Sequence, residues 1–128
     1  MDQSYKPQGY SSVSAYIVAN GAQRVIGFLS KTFDARQSRR FDNPDGSIMH
    51  AEVQIDDTVV MIADGGGDYP AFPVWLHVYV PDVDASYRRA LDAGGLSVQE
   101  PEQKDDADRR AGVKDPAGNT WWIATQVG

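Results

Sequence analysis

Apolar and polar residues alternate along this chain with two different periods, and the switches between them mark its elements. SVSAYIVAN (12–20) is a short run rich in β-formers and predicts a strand. After Asn20-Gly21 the period changes. In AQRVIGFLSKTF (22–33), Val25, Ile26, Phe28, Leu29 and Phe33 share a helical face, with Arg24 and Lys31 outside it. QSRRF (37–41) is compatible with a strand, and FDNPDGS (41–47) is dense in turn formers. SIMHAEVQI (47–55) alternates: Met49, Ala51, Val53 and Ile55 take one face, and His50, Glu52 and Gln54 the other. Asp56-Asp57 makes a hairpin, and TVVMIAD (58–64) returns as a buried strand. GGGDYPAFP (65–73) reads as a linker.

The same order then starts again. VWLHVYV (74–80) is a strand, PDVD (81–84) a turn holding an N-cap candidate, and ASYRRALDAGG (85–95) a helix ended by Gly94-Gly95. LSVQEP follows as a strand candidate and EQKDDADRR (102–110) as a charged loop. AGVKD and NTWWIAT then form a hairpin around Pro-Ala-Gly. Two anchors support a repeat: Val18 and Val80 are 80 − 18 = 62 positions apart, and Ile62-Ala63 and Ile123-Ala124 are 61 apart. The expected organisation is one domain over residues 1–128, with module one at 12–64, the linker at 65–73 and module two at 74–125.

Composition narrows the function classes. The chain has 128 residues and no cysteine, which excludes disulfides, thiolate metal ligands and thiol nucleophiles. Its formal net charge of −6 is the wrong sign for nucleic acid or an anionic membrane. No apolar run approaches the ~20 residues that span a bilayer, and the polar N-terminus lacks a signal-peptide core. A soluble, cytoplasmic protein is expected, with no nucleic-acid and no membrane partner. The serines lie in no nucleophile elbow, and GGGDYPAFP is not a phosphate loop, because neither Lys-Ser/Thr nor a helix follows it.

The β-α-β-β-β repeat and the stretches VIGFLSKTFDA, HAEVQIDDTVVMIAD, LHVYVPDVDASYRRALDAGG and VKDPAGNTWWIAT resemble the vicinal oxygen chelate superfamily. That superfamily includes glyoxalase I, extradiol dioxygenases and bleomycin-resistance proteins, and the chain is most similar to its PhnB-like branch. The resemblance spans residues 12–125. It implies an α+β fold of two tandem βαβββ modules whose curved sheets form a shared cleft, and it implies a homodimer. Asp34 departs from the branch, which usually has glycine after the first helix. The resemblance also places the metal ligands of metal-dependent members at Val13, Met61, Trp75 and Trp122. None of these side chains offers the oxygen or imidazole donor that a divalent ion needs. No standard metal site and no cofactor are expected.

Strand alternation assigns the faces. Val74, Leu76, Val78 and Val80 should face the helices, which turns Trp75, His77 and Tyr79 to the cleft. Trp121 and Ile123 should be core, and Trp122 and Ala124 should face the cleft. Val59, Met61 and Ala63, together with Val13, Ala15 and Ile17, should also face it. The expected ligand-binding set is an aromatic wall of Trp75, Tyr79 and Trp122 with His77, facing a polar wall of His50, Glu52 and Gln54, with Met61 beside it. Tyr69 and Phe72 of the linker flank the mouth. A small-molecule-binding protein for an organic ligand, aromatic ones included, follows from this lining. Two alternatives stand beside it. One is a metal-dependent lyase, isomerase or dioxygenase of glyoxalase type. The other is a metal-free enzyme whose general base is His77 or His50, with Glu52 setting the tautomer.

Overall fold

The computed structural model describes residues 5–128. Two four-stranded sheets each carry one helix. The first contains β1 (Tyr16–Ala19), β2 (Arg36–Asp42), β3 (Ile48–Ile55) and β4 (Thr58–Asp64), in the order β1-β4-β3-β2, with α1 (Ala22–Phe33). The second contains β5 (Trp75–Tyr79), β6 (Leu96–Gln103), β7 (Asp108–Lys114) and β8 (Thr120–Gln126), in the order β5-β8-β7-β6, with α2 (Val83–Asp92). The first strand of each sheet pairs in parallel with the last, and the other pairs are antiparallel. The architecture is α+β, as the resemblance implied.

The helices carry the core. Ala22, Val25, Ile26, Phe28 and Leu29 of α1 are buried, and so are Val83 and Ala90 of α2. The two helices pack on each other and each on its own sheet, so the helix-side residues of both sheets merge into one apolar cluster. Ile17, Ala51, Val53 and Ile62 enter it from the first sheet, and Ala111, Val113, Trp121 and Ile123 from the second. Val74, Leu76, Val78 and Val80 pack at its margin, on the face the alternation assigned them.

Four local expectations are corrected. The first is the register of β1. Tyr16 pairs with Met61 and His77 with Trp122, so the spacing is 77 − 16 = 61 in the first strands and 122 − 61 = 61 in the last. The Val18–Val80 anchor was one residue too long, and a slip of one residue reverses a strand's faces. Ile17 is therefore fully buried in the core, while Tyr16 and Val18 share the opposite face with Met61 and Ala63. Val13 and Ala15 precede the strand and are exposed. Second, Met49 is 53% exposed rather than core. The pairing steps from Phe41↔His50 to Asp42↔Ile48, so Met49 is the extra residue of a β-bulge and Ile48 takes the inward position. Third, the charged loop is shorter, because Asp108, Arg109 and Arg110 already belong to β7. Fourth, α2 begins at Val83, where Asp82 caps it by accepting the Ala85 N–H, and ends before Gly94 at φ 96°. At the end of α1, Asp34 adopts the left-handed φ of 56° that glycine would favour, a conformation short polar side chains tolerate.

The turn Asp115–Asn119 positions the second sheet. The Asp115 carboxylate is buried, and it accepts from the Ala117 and Asn119 N–H groups, the Asn119 amide and the Trp121 indole N–H, the last at 2.9 Å. Asn119 in turn accepts the Val74 N–H at 3.0 Å, tying the start of β5 to the same turn. Trp121, 2% exposed, packs its ring 5.5 Å from Phe33 of α1. Its neighbour Trp122 is only partly buried, on the opposite face. Asp115→Ala should cost about 3 kcal/mol, because it strands several buried donors at once. Urea unfolding would check this, and a loss under 1 kcal/mol, on the order of one ordinary hydrogen bond, would contradict it.

Candidate functional site

Each sheet has one face that no helix covers, and the eight strand residues expected to bind a ligand lie on these two faces. On the second sheet, pairing aligns Trp75, His77 and Tyr79 with Thr120, Trp122 and Ala124. Trp75 and Trp122 meet edge to face at 5.4 Å between ring centroids. His77 and Tyr79 meet at 4.9 Å. Trp122 also packs closely against Gly112 of β7: a Cβ there would come within 2.6 Å of the indole, so this seat requires glycine. Trp75 is 75% and Tyr79 62% exposed, an unusual amount of aromatic surface to leave in water.

Polar groups hold this aromatic array in place. Arg110 donates to His77 Nε2 at 3.2 Å and to Asp108 at 2.8 Å, and Tyr79 donates to the same Asp108 carboxylate at 2.8 Å. Asp106 adds a second carboxylate to Arg110 at 3.3 Å. Since Nε2 accepts, the neutral His77 ring carries its proton on Nδ1. Partial burial and then the Arg110 charge hold His77 below its usual pKa, against the opposing pull of Asp108 and Asp106. Asp108, by accepting the Tyr79 hydroxyl, pushes that phenol up.

The first sheet carries the second array. His50 and Glu52 are two apart on β3, and His50 Nε2 donates to Glu52 Oε2 at 2.7 Å. Nδ1 of His50 meets the Tyr16 hydroxyl at 2.9 Å, so both ring nitrogens are engaged. The Glu52 side chain is almost fully buried. Its Oε1 accepts from the Tyr10 hydroxyl and lies 3.9 Å from Arg39 Nε. Burial pushes the Glu52 carboxyl up, but Tyr10, His50 and Arg39 together outweigh it and hold the group ionised below its ordinary range. Met61 lies beside Glu52 across the β3–β4 ladder, and Gln54 is exposed further along β3.

The eight expected residues thus fall into two groups. Trp75, His77, Tyr79 and Trp122 form one, and His50, Glu52, Gln54 and Met61 the other. Among the described residues no hydrogen bond, ion pair or ring contact joins them. Two cavities lie at the seam between the sheets. One, of about 770 Å3, is lined by Gln54 and Tyr79 with Arg36 and Arg89, and the other, of about 440 Å3, by Trp75, His77 and Tyr79 with the 55–58 hairpin. His50, Glu52, Met61 and Trp122 line neither. Tyr69 and Phe72 of the 65–73 stretch are exposed. Sequence reasoning missed Tyr10, Tyr16, Arg39, Asp108 and Arg110. Extending the alternation of β7 back from Val113 would have found Arg110 and Asp108. The one-residue slip hid Tyr16, and nothing local marked Tyr10 or Arg39.

The donor chemistry bears on a metal. Among the described residues, no three His, Asp or Glu side chains converge as an ion would require. Counting by 61 from Trp75 leads to Ser14 rather than Val13. A hydroxyl, a thioether and two indoles do not fit a divalent ion.

Comparisons with known proteins agree with the fold. The family model described as the glyoxalase/bleomycin resistance protein/dioxygenase superfamily matches residues 12–123. An uncharacterized protein of Mycobacterium bovis is 35% identical over 127 residues, covering 91% of this chain and 84% of its own. TioX from Micromonospora sp. ML1 superposes with a TM-score of 0.77 at 24% identity, covering 91% of this chain and 98% of that one. A putative 3-demethylubiquinone-9 3-methyltransferase, the PhnB protein of Bacillus cereus, gives 0.71 at 14% identity, with 90% and 99% coverage. At these identities the structural likenesses show the fold alone.

The His77 environment yields a pH prediction. A histidine held neutral by the fold takes up its proton more readily when unfolded, so His77 should subtract stability as pH falls below about 6.5. NMR titration should place the His77 midpoint below 6.5, and Arg110→Gln should raise it. An unchanged midpoint in the variant would remove Arg110 as a cause.

Proposed function

The chain belongs to the glyoxalase/bleomycin resistance protein/dioxygenase superfamily, and from that premise we propose that it is a small-molecule-binding protein that takes an organic, aromatic ligand without the superfamily's standard metal site. The observation that carries the reading is the edge-to-face pair of exposed Trp75 and partly buried Trp122. It sits on the sheet positions where the resemblance places metal ligands. Flat aromatic faces backed by a fixed histidine and tyrosine suit a planar or cationic ring system. Arg110 is already balanced by Asp106 and Asp108, so it supports polar positioning more than capture of an anion.

The alternatives have less support. A metal-dependent lyase, isomerase or dioxygenase needs donors that Trp75, Trp122 and Met61 do not supply. A metal-free enzyme needs a histidine whose basic nitrogen faces a substrate. The accepting nitrogen of His50, Nδ1, faces the chain's own Tyr16 hydroxyl, and His77 has Nε2 held by an arginine whose charge opposes protonation.

Two copies complete the site in this reading. Within one chain, no hydrogen bond, ion pair or ring contact among the described residues joins the aromatic and polar arrays, and a homodimer that pairs the first-sheet face of one copy with the second-sheet face of the other closes a cleft between them. The exposed Trp75, Tyr79, Phe41 and Met49 are the apolar surface such an assembly would cover. Absence of cysteine fits a cytoplasmic setting.

Tryptophan fluorescence tests the binding. Titration with a panel of planar and cationic aromatic antibiotics should quench Trp75 and Trp122 while Trp121 stays constant in the core. Trp122→Ala should weaken the binding about tenfold. Absence of quenching by every compound would refute the reading. Light scattering should give twice the mass of the 14.0 kDa chain. A 14.0 kDa species at all concentrations would refute the shared cleft.

A further inference from the structure

Glu52 is a buried carboxylate on an otherwise open sheet face, and its two oxygens are treated differently. Oε2 is fixed by His50, two residues away on the same strand, at 2.7 Å. Oε1 takes its donor from Tyr10, 42 positions earlier in the sequence. Tyr10 belongs to an irregular segment, residues 5–15, in which no residue is buried. Among the described residues, the hydrogen bonds of this segment before Ala15 are local, Lys6 to Ser12 and the Tyr10 N–H to Pro7, apart from the Tyr10 hydroxyl itself. Gly9, at φ 88°, lets the chain reverse so that the following ring drops onto the sheet. There the Arg39 guanidinium lies 5.8 Å from the ring centroid.

A carboxylate stripped of water needs a donor. For Oε1 that donor is a phenol delivered by a stretch of chain in which no residue is buried. We propose that the Glu52 carboxylate, with Arg39 above it, is a binding site for the hydroxyl of a phenolic ligand, and that Tyr10 is its tethered, displaceable occupant. The ligand's hydroxyl donates to Glu52 Oε1, its ring takes the place under Arg39, and His50 with Tyr16 forms the adjoining wall. The tether makes Tyr10 a competitor at an effective concentration on the order of millimolar. This inference rests on the small-molecule-binding reading above and specifies its ligand class at the first-sheet array.

The test uses p-cresol as probe, toluene as the same shape without a hydroxyl, and the full chain labelled with 15N-histidine. Tyr10→Ala should bind p-cresol about tenfold more tightly than the parent chain, because the tethered competitor is gone. Binding should shift the ring nitrogens of His50 and leave those of His77 in place. Toluene should bind about tenfold more weakly, because it leaves the carboxylate without its donor. Deletion of residues 1–11 should reproduce the Tyr10→Ala pattern. Equal p-cresol affinity in parent and variant, equal binding of toluene, or shifts centred on His77 would overturn the proposal. So would failure of both altered chains to fold, since Tyr10 would then be structural. Absence of p-cresol binding alongside retained quenching of Trp75 and Trp122 would overturn this inference alone. Loss of both would overturn the binding function as well.

Discussion

The buried carboxylate of Asp115 is the constraint on which the second sheet depends. A carboxylate at that depth is tolerable only if donors surround it, and the Asp-Pro-Ala-Gly-Asn turn supplies them from two backbone amides, one side-chain amide and one indole. The indole bond fixes the orientation of Trp121. Once Trp121 points into the core, strand alternation leaves Trp122 no choice but the open face. Asn119 extends the same constraint to β5 through Val74, so the aromatic array on β5 and β8 inherits its register from one carboxylate.

The helices set the other half of the arrangement. Each covers one face of its own sheet, and the two helices pack together, so a single core serves both halves. Apolar residues on the helix-side faces satisfy the need for burial, which leaves the opposite faces available for other chemistry. Both faces use that freedom alike, with a strand histidine held by a neighbour: Glu52 holds His50 and Arg110 holds His77. The partners differ in sign. His50 faces a carboxylate and His77 a guanidinium, so the two arrays are electrostatically distinct even though they stem from one repeat.

Most of the fold was legible in the sequence because periodicity is a local property. The limits of α1, the hairpin at Asp56-Asp57 and the split of Trp121 from Trp122 all follow from spacing and turn chemistry. Errors arose where a single residue broke a count. The bulge at Met49 displaced one residue of an otherwise regular alternation, and an anchor one position too long reversed the faces of β1. The site was legible only in part. Trp75, His77, Tyr79 and Trp122 share a face because they lie on paired strands in register. His50, Glu52 and Gln54 share another because they lie two apart on one strand.

The sequence by itself determined the element order, the internal repeat and the composition of each sheet face, because these depend on residues close together along the chain. Only the tertiary structure decided which groups meet across it. Tyr10 reaches Glu52 over 42 positions, Arg89 reaches Thr32 over 57, and Tyr79 shares Asp108 with Arg110. Among the described residues, it also left the two arrays without a shared hydrogen bond, ion pair or ring contact. That separation comes from how helix packs on helix, a long-range choice that neither hydrophobic period nor turn chemistry encodes.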